Sequence, residues 1–375
     1  MPVVRVPVWV IRGGTSKGVF FRSEDVPPPG PERDAIILAV MGSGDPRQID
    51  GLGGADVLTS KIAMVGPSTR EDADVDYTFG QVGVERMAIS WAENCGNISS
   101  AVGVFAILRS LVEAVEPQTI VRVHNTNTGK VLLLHVPVAG GQPRVHGDFA
   151  IAGVPGTGAE IRLDFSKTAG AMTGKILPTG ATSDQLYVPE LGRSVAVSIV
   201  DVANAAVFFH ASEVGLTGTE GPAEFSPEIL DRYHFIQLAA AKLIGMQSEH
   251  GFPRPVAVAE PQSYVDYMTG ETITAEQVDV LGRRVILPPP RLHKAFAATG
   301  AVCTAVASRL EGTVVHRVTR TPSDNTFRLG HPTGVFPVRV DVQDGSVRIV
   351  NEASFSRTAR LLFEGTALIR LERGQ

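Results

Sequence analysis

Short apolar runs separated by turn residues dominate the chain and predict a protein built mainly from strands. Residues 3–11 and 18–22 flank a Gly-Gly-Thr-Ser turn, and this arrangement predicts a β-hairpin. Apolar residues recur at helical spacing over residues 98–115, which predicts a helix surrounded by sheet. The other strands predicted in the first half of the chain are residues 76–82, 85–90, 119–124 and 131–136.

The second half of the chain repeats this order of elements. An apolar helix is predicted at residues 301–310 and a separate amphipathic helix at residues 230–243. Cys95 and Thr299 lie 204 positions apart, and each begins a segment in which small residues and a glycine enter a helix. The strands predicted in this half are residues 195–200, 206–210, 256–258, 313–318, 335–342 and 347–349.

This repeat predicts two related αβ domains. The stretch rich in proline and glycine at residues 140–158 marks the change from one half to the other. We therefore expect a first domain at residues 1–158, completed by a C-terminal strand at 357–375. The second domain is then expected at residues 159–356.

The composition limits the classes of function. Of the 375 residues, 43% are hydrophobic and 19% are charged, which is typical of a globular protein. A formal net charge of −5 argues against general nucleic-acid binding, so local donors must hold any anionic substrate. The apolar N-terminus is too short for a signal peptide, and no apolar run reaches membrane-spanning length. A cytoplasmic protein without a membrane partner is therefore expected.

Three segments carry residues suited to chemistry. In residues 12–18, glycines permit close backbone approach, and the hydroxyls of Thr15 and Ser16 can surround a carboxylate; a plain hairpin turn is the equal alternative. Lys61 stands where a loop enters a strand, and a lysine that acts as a base there needs partial burial. A helix that begins at Cys95 would favour a thiolate or a bound carboxylate at its N-terminus.

Several weaker signals complete the survey. Asn97 and Ser99 can instead have a purely structural role, as caps of the helix that follows Cys95. The polar turns at residues 125–129, 172–175 and 330–334, taken singly, are typical of ordinary loops. No histidine pair has metal-ligand spacing, two cysteines make no disulfide framework, and no dinucleotide fingerprint occurs. Neither a metal nor a cofactor is expected.

Four segments together resemble a known family. RGGTSKGVFF, DPRQIDGLGGADVLTSK, ENCGNISSAVG and GHPTG occur in this order. They closely resemble the 2-methylaconitate isomerase (PrpF) family, which also contains 4-oxalomesaconate and methylitaconate isomerases, and the likeness runs from Val8 to about Gly365. The resemblance implies an α+β, diaminopimelate epimerase-like fold of two pseudo-repeated domains. In that fold each domain wraps a β-barrel around a central helix, and the active site lies between the domains.

The resemblance also implies site residues and an activity. Lys61 and Cys95 match the proton-transfer pair of the family. The implied reaction is a cofactor-independent 1,3-allylic shift of a proton and a double bond in an unsaturated di- or tricarboxylate. The residues implied to hold the substrate carboxylates are Thr15, Ser16, Asn97, Ser99, Thr173, Gly174, His331 and Thr333.

The substrate and the competing activities remain to be distinguished. Residues 258–264 and the loop to 273 look more like the methylaconitate branch, which favours 2-methylaconitate and propionate catabolism over methylitaconate or 4-oxalomesaconate. A two-cysteine epimerase is disfavoured, because Thr299 stands where its second thiol belongs and Cys303, one helical turn further on, is expected to face the core. A non-catalytic carboxylate-binding protein is the alternative from another class. The sequence does not decide whether the protein forms a homodimer.

Overall fold

The computed structural model describes residues 3–91, 95–151, 153–170, 172–248, 251–287, 289–320, 324–345 and 347–370. The chain folds as two compact units. Unit 1 combines Met1–Asp164 with Ser356–Gln375, and unit 2 is Phe165–Phe355. The first unit therefore combines segments from the beginning and the end of the described chain.

Unit 1 consists of strands around one buried helix. Its helices are α1 (Pro31–Met41) and α2 (Gly96–Leu108). A 3₁₀ helix spans Ser23–Asp25. Its strands are β1 (Val3–Gly13), β2 (Ser16–Arg22), β3 (Lys61–Pro67), β4 (Val75–Val82), β5 (Ile89–Ser90), β6 (Gln118–Asn125), β7 (Lys130–Ala139), β8 (Gln142–Pro143), β9 (Ile161–Asp164) and, after unit 2, β21 (Ala359–Arg370).

Unit 2 has the same general make-up. Its helices are α3 (Pro227–Leu243), α4 (Ala298–Arg309) and α5 (Val314–Val318). Its 3₁₀ helices are Ser166–Thr168, Pro189–Leu191, Ala211–Val214, Pro222–Glu224 and Ala275–Gln277. Its strands are β10 (Asp184–Val188), β11 (Arg193–Val202), β12 (Asn204–His210), β13 (Arg254–Ala259), β14 (Tyr264–Val265), β15 (Thr272–Ile273), β16 (Val280–Ile286), β17 (Arg291–Leu292), β18 (Thr326–His331), β19 (Gly334–Gln343) and β20 (Ile349–Arg357), which ends just beyond the unit boundary.

The order of strand pairing is the same in both units. In unit 1 the pairs β1–β2, β2–β3, β3–β4, β4–β6 and β6–β7 alternate between antiparallel and parallel. In unit 2 the pairs β11–β12, β12–β13, β13–β16, β16–β18 and β18–β19 alternate in the same way. Parallel neighbours need a crossover connection, and helices provide it at matching steps, α1 and α2 in one unit and α3 and α4 in the other. The predicted pseudo-repeat is confirmed.

Each unit has a central helix that is buried on nearly all sides. In α2, every residue from Ile98 to Ile107 is buried, and the helix contacts β1, β2, β3, β6, β7 and β9. In α4, Gly300 to Ser308 are buried in the same way, against β11, β12 and β19. A helix that is buried on nearly all sides lies inside the fold, which agrees with the predicted helix surrounded by sheet. The predicted α+β class, with a helix inside each sheet, is confirmed.

Some local predictions are wrong, and tertiary packing explains them. Residues 313–318 form α5 rather than a strand, because Thr313 caps the His316 amide at 3.0 Å and Val314, Val315 and Val318 are all buried. Only Ile89–Ser90 of the strand predicted at 85–90 forms, since residues 83–88 make a turn.

Two further helix predictions are incomplete. The helix predicted at 98–115 ends at Leu108, just before Ser110 with its positive φ of 56°. Helix α1 (Pro31–Met41) was missed, because residues 35–41 are a continuous apolar run whose pattern does not distinguish a helix from a strand. No helix within the described ranges is both long and apolar enough to cross a membrane.

Candidate active site

Lys61 is the first residue of β3 and lies in a polar but uncharged environment. Its side chain is buried, and Nζ donates to Oε1 of Gln81 at 2.5 Å. The Gln81 amide keeps this orientation because its Nε2 donates to the Ser60 carbonyl at 2.9 Å. The Phe79 ring centroid lies 5.4 Å from Nζ. Over the residues that the structure describes, no carboxylate pairs with Lys61. Its side chain is buried, as expected of a lysine that acts as a base.

Cys95 is the N-cap residue of α2. Its backbone is extended (φ −127°, ψ 103°), its side chain is half-buried, and the helix begins without a side-chain cap. Ser99 donates from both its amide and its hydroxyl to the Cys95 carbonyl, each at 2.9 Å. The thiol therefore lies at the positive end of the helix dipole. The capping alternative for Asn97 and Ser99 is wrong.

Asn97 connects the first turn of α2 to the β1–β2 hairpin. Its Nδ2 donates to Thr15 Oγ1 at 3.0 Å, and its Oδ1 accepts from Arg357 Nε at 3.0 Å. A Cβ atom on Gly13 would lie 2.3 Å from the Asn97 carbonyl oxygen, and one on Gly14 would lie 2.2 Å from Asn97 Oδ1. The two glycines are therefore required for the close approach of hairpin and helix.

Arg357 is a functional candidate that the sequence did not reveal. Its Nη1 donates to the Ser356 carbonyl at 2.8 Å while its Nε holds Asn97. Burial lowers the pKa of Arg357 to about 10, and the nearby Cys95 side chain raises it, so the guanidinium stays protonated at neutral pH. A lone arginine at the end of a strand belongs to no motif. Its position beside Cys95 follows only from the return of the C-terminal strand to unit 1.

Tyr77 is a second candidate that the sequence did not reveal. The side chain is completely buried on β4. Burial raises the pKa of the Tyr77 phenol far above its ordinary value, and charge on Cys95 raises it further. The phenol is therefore neutral at every physiological pH. Its hydroxyl is a proton-bearing group in the environment of the Cys95 thiol.

The strand β4 relates Lys61 to Cys95. Phe79, beside the Lys61 amine, and Tyr77, whose phenol interacts with Cys95, are two residues apart on one face of this strand. Such residues are separated by about 7 Å along a strand. A Cβ on Gly18 would meet both the Lys61 carbonyl at 3.0 Å and the α2 side chain of Ile98 at 3.1 Å. The start of β3 and the first turn of α2 therefore lie close together in unit 1.

Ser16 joins this group of residues in unit 1. It begins β2 opposite Gly13, and only 2% of its surface is exposed. Its Oγ has no hydrogen-bond partner within the described chain. The predicted residues Thr15, Ser16, Asn97 and Ser99 therefore all lie at the hairpin turn or the first turns of α2. A carboxylate-binding role for them stays a prediction.

In unit 2, the donors of Thr173 and Gly174 are already engaged. The Thr173 amide and hydroxyl donate to Oδ2 of the fully buried Asp201 at 2.6 and 2.9 Å. The Gly174 amide donates to the Gly170 carbonyl at 2.9 Å. A substrate carboxylate would have to displace Asp201 or the turn itself to use them. Their predicted binding role is untested, and this geometry argues against it.

His331 and Thr333 form a local pair at the β18–β19 turn. The Nδ1 atom of the nearly buried His331 accepts from the Thr333 amide, and the Thr333 hydroxyl lies 3.3 Å from it. Burial lowers the pKa of His331 to about 3, and the charge of Arg283 adds to this effect. The imidazole is therefore neutral at pH 7. With Nδ1 as acceptor, its proton is on Nε2, which leaves one donor for a ligand.

The second cysteine is unsuited to proton transfer. Cys303 is fully buried in α4 and donates to the Val200 carbonyl at 3.4 Å. Burial raises the pKa of its thiol to about 12. Thr299, at the position expected for a second acid, accepts from Asn204 Nδ2 at 2.9 Å. Cys303 faces the core as predicted, which counts against a two-cysteine epimerase. No group of three or more His, Cys, Asp or Glu side chains among the described residues is arranged to hold a metal.

Comparison with known proteins defines the class. The chain is 46% identical to the 3-methylitaconate isomerase of Eubacterium barkeri, over 96% of each chain. It is 38% identical to the 4-oxalomesaconate tautomerase of Pseudomonas putida, over 98% of this chain and 97% of the relative, and 37% identical to the 2-methyl-aconitate isomerase of Shewanella oneidensis, over 97% and 96%. The protein is an isomerase, and the non-catalytic alternative is set aside.

The family and the fold follow from the same comparisons. The PrpF protein family model matches residues 3–370, and the chain belongs to that family. A crystal structure of methylitaconate-delta-isomerase superposes with a TM-score of 0.89 at 46% identity, covering 98% of this chain and 96% of the other. A hydroxyproline epimerase from Agrobacterium vitis, 12% identical, gives a TM-score of 0.51 over 97% and 92% of the chains, which shows the fold alone. The predicted diaminopimelate epimerase-like fold is confirmed.

Proposed function

We propose that this protein is a cofactor-independent isomerase that moves a proton and a double bond across three carbons of an unsaturated di- or tricarboxylate. Lys61 is the base and Cys95 is the acid. The observation that carries the proposal is the buried Lys61 amine, held by a neutral amide in the same unit as a thiol at a helix N-terminus. Amine and thiol are the two proton carriers that such a shift needs.

The environment of Lys61 suits a base. The polar partner of its amine is the neutral Gln81 oxygen, and the Phe79 ring lies beside it. In its unprotonated form, Lys61 removes the proton from the carbon next to the double bond. The electron pair of that C–H bond spreads into a dienolate, and the adjacent carboxylate carries the developing charge.

The Cys95 thiol completes the shift. Its S–H bond breaks as a new C–H bond forms at the far end of the three-carbon unit, which leaves a thiolate. Free amides at the start of α2 and the protonated Arg357 stabilise that thiolate. Proton transfer from the Lys61 ammonium to the thiolate restores the enzyme, so protons and electrons balance without a cofactor.

The choice of substrate rests on sequence identity. Identity of 46% to a 3-methylitaconate isomerase exceeds the 37% to a 2-methyl-aconitate isomerase. This favours methylitaconate as the first acid to assay, ahead of the 2-methylaconitate that residues 258–273 favoured. Residues 258–273 contain the two-stranded sheet β14–β15, and the Met268 side chain between these strands is exposed. 4-Oxalomesaconate is the third candidate.

A panel assay in D₂O tests the proposal. The purified protein is expected to convert at least one of the three acids, followed by ultraviolet absorbance, and to place deuterium at the allylic carbon, measured by NMR. Proline and hydroxyproline serve as controls for epimerase chemistry. The proposal fails if none of the three acids turns over, or if deuterium enters only at an sp³ α-amino carbon.

Arg357 is expected to control the thiolate population of Cys95. Arg357→Met is expected to slow alkylation of Cys95 by iodoacetamide at pH 7 about tenfold, because the thiolate loses a neighbouring positive charge. Arg357→Lys is expected to recover part of the rate. Mass spectrometry assigns the label to Cys95, since Cys303 is fully buried. Equal rates in wild type and both variants would show that Arg357 only positions Asn97.

A further inference from the structure

A buried glutamine lies in the connection between α1 and β3, ahead of Lys61. Gln48 is only 2% exposed, although no helix or strand contains it. Its Oε1 atom accepts from the Ala55 amide at 2.8 Å and from the hydroxyl of the fully buried Ser60 at 2.7 Å. One side-chain oxygen therefore holds two points of the same loop, and the second point is the residue directly before Lys61.

The contacts fix the orientation of the Gln48 amide. The backbone amide of Ala55 is a donor only, so the Gln48 atom that faces it has to be the acceptor oxygen. That oxygen carries no hydrogen, so the Ser60 hydroxyl donates to it. The Nε2 atom is enclosed and has no hydrogen-bond partner among the described residues. The acceptor oxygen is therefore the half of the amide on which the loop depends.

The backbone around these contacts is unfavourable by itself. Gln48 and Ala55 have positive φ angles of 45° and 58°, which residues other than glycine rarely adopt. A Cβ atom on Gly53 would lie 2.3 Å from the side-chain amide of Gln48, so only glycine allows this close packing. Such backbone persists only where the surrounding contacts hold it, and it clusters at functional sites. The conformation therefore points to a role of the loop beyond stability.

The loop that Gln48 holds carries the acceptors that orient Gln81. The Nε2 atom of Gln81 donates to the Ser60 carbonyl at 2.9 Å and to the Val57 carbonyl at 3.2 Å. With its Nε2 directed at the loop, Gln81 presents Oε1 to the Lys61 amine. A continuous series of contacts within unit 1 therefore leads from the Gln48 oxygen to Nζ of Lys61.

We propose that Gln48 is a positioning residue for Lys61, acting through the loop of residues 49–60. The loop orients Gln81, and Gln81 directs the Lys61 amine. The contribution of this positioning to catalysis rests on the proposed function of Lys61 as the base, whereas the positioning itself does not. A base has to lie within hydrogen-bond reach of the proton it removes, and a displacement of about 1 Å can cost about 10²-fold in rate. Gln48 is therefore expected to affect kcat and not KM.

Steady-state kinetics of Gln48 variants test this role. Gln48→Met keeps the unbranched shape and loses the acceptor, and it is expected to lower kcat about 10–100-fold while KM stays within about threefold. Gln48→Glu keeps an acceptor oxygen for Ala55 and Ser60 in either protonation state, so it is expected to recover most of the lost kcat. An unchanged kcat in Gln48→Met overturns the proposal, and so does an equal loss of kcat in both variants.

A variant of Ser60 tests the same contact from its other side and applies also if the Gln48 variants do not fold. Ser60→Ala removes one donor to Gln48 Oε1 and keeps the contact with Ala55, and it is expected to lower kcat about fivefold. In the double variant, the loss is expected to be no larger than in Gln48→Met alone, because residues of one hydrogen-bond network are not additive. A wild-type kcat in Ser60→Ala, or losses that multiply in the double variant, would contradict the proposal.

Thr119→Val provides a matched control for the loss of a contact that holds a loop. Thr119 is also buried in unit 1, where its Oγ1 accepts from the Val115 amide at 2.8 Å and donates to the Val115 carbonyl at 3.0 Å. Both residues follow α2 in the connection to β6, not in the loop before Lys61. Thr119→Val is therefore expected to keep kcat within about twofold of wild type. A loss as large as that of Gln48→Met would show a general effect of loop contacts and overturn the proposal.

Chemical labelling of Lys61 separates this proposal from the proposed function. Acetylation by acetic anhydride, followed at Lys61 by mass spectrometry, is expected to be about fivefold faster or more in Gln48→Met, because the loop no longer holds Gln81 and the amine. Gln48→Glu is expected to stay near the wild-type rate. If none of the acids turns over but the labelling changes in this way, the positioning role stands and the proposed reaction fails. If isomerisation occurs and Gln48→Met keeps both the wild-type kcat and the wild-type labelling rate, the reaction stands and the positioning role fails.

Discussion

Lys61→Met is expected to reduce kcat by about 10²–10⁴-fold while KM changes little, because it removes the base and keeps the apolar stem. The methionine side chain can still pack near the Phe79 ring. Gln81 Oε1 loses its donor, which is expected to lower the free energy of unfolding by about 1–3 kcal/mol. Steady-state kinetics on the acid identified in the panel, with chemical denaturation in parallel, measure both effects.

A matched control separates the base from a general effect of charge. Lys130 also begins a strand of unit 1, and its side chain is only partly buried. Lys130→Met is expected to leave kcat within about twofold of wild type, since surface substitutions away from a site have small effects. If Lys61→Met retains near wild-type turnover, Lys61 is not the base, and the reaction scheme must be abandoned.

Cys95→Ala is expected to uncouple the two proton transfers. The variant should lose about 10²–10⁴-fold of kcat, because the acid that completes the shift is gone. Lys61 remains, so deuterium from D₂O is expected to enter the allylic position of recovered substrate faster than product forms. NMR of the substrate pool during the reaction measures this exchange, and ultraviolet absorbance measures the product.

The other cysteine provides the control for this experiment. Cys303→Ala is expected to keep kcat within about twofold and to lower the free energy of unfolding by about 1 kcal/mol, because Cys303 is fully buried in α4. Loss of both exchange and turnover in Cys95→Ala would instead assign the first proton transfer to the thiol. Unchanged turnover in that variant would exclude Cys95 from the chemistry.

Local sequence carried enough information to predict much of unit 1. The Gly-Gly turn between two β-rich runs specified the hairpin, and Lys61 was placed correctly at a strand entry. The small residues after Cys95 predicted a helix N-terminus, and the structure has Cys95 as the N-cap. These features depend on turn geometry and on contacts between neighbours along the chain, which a sequence reveals directly.

Long-range packing limited the same reasoning elsewhere. The β-branched segment at residues 313–318 has strand propensity, yet burial of three valines on one side makes it the helix α5. Thr173 was predicted to bind a carboxylate of the substrate, but it binds the carboxylate of Asp201 within its own unit. Which donor meets which acceptor depends on contacts across many residues, and a motif does not encode them.

The sequence by itself determined the family, the repeated α+β plan, and the positions of Lys61 at a strand start and Cys95 at a helix start, because glycine turns, helix starts and motif order are local properties. Only the tertiary structure brought Arg357, 262 positions after Cys95, to the first turn of α2, and left Nε and Nη1 of the buried Arg284 without a hydrogen-bond partner among the described residues. Burial and charge balance are sums over the whole fold. The sequence therefore does not show whether the charge of a given arginine is paired in the folded protein.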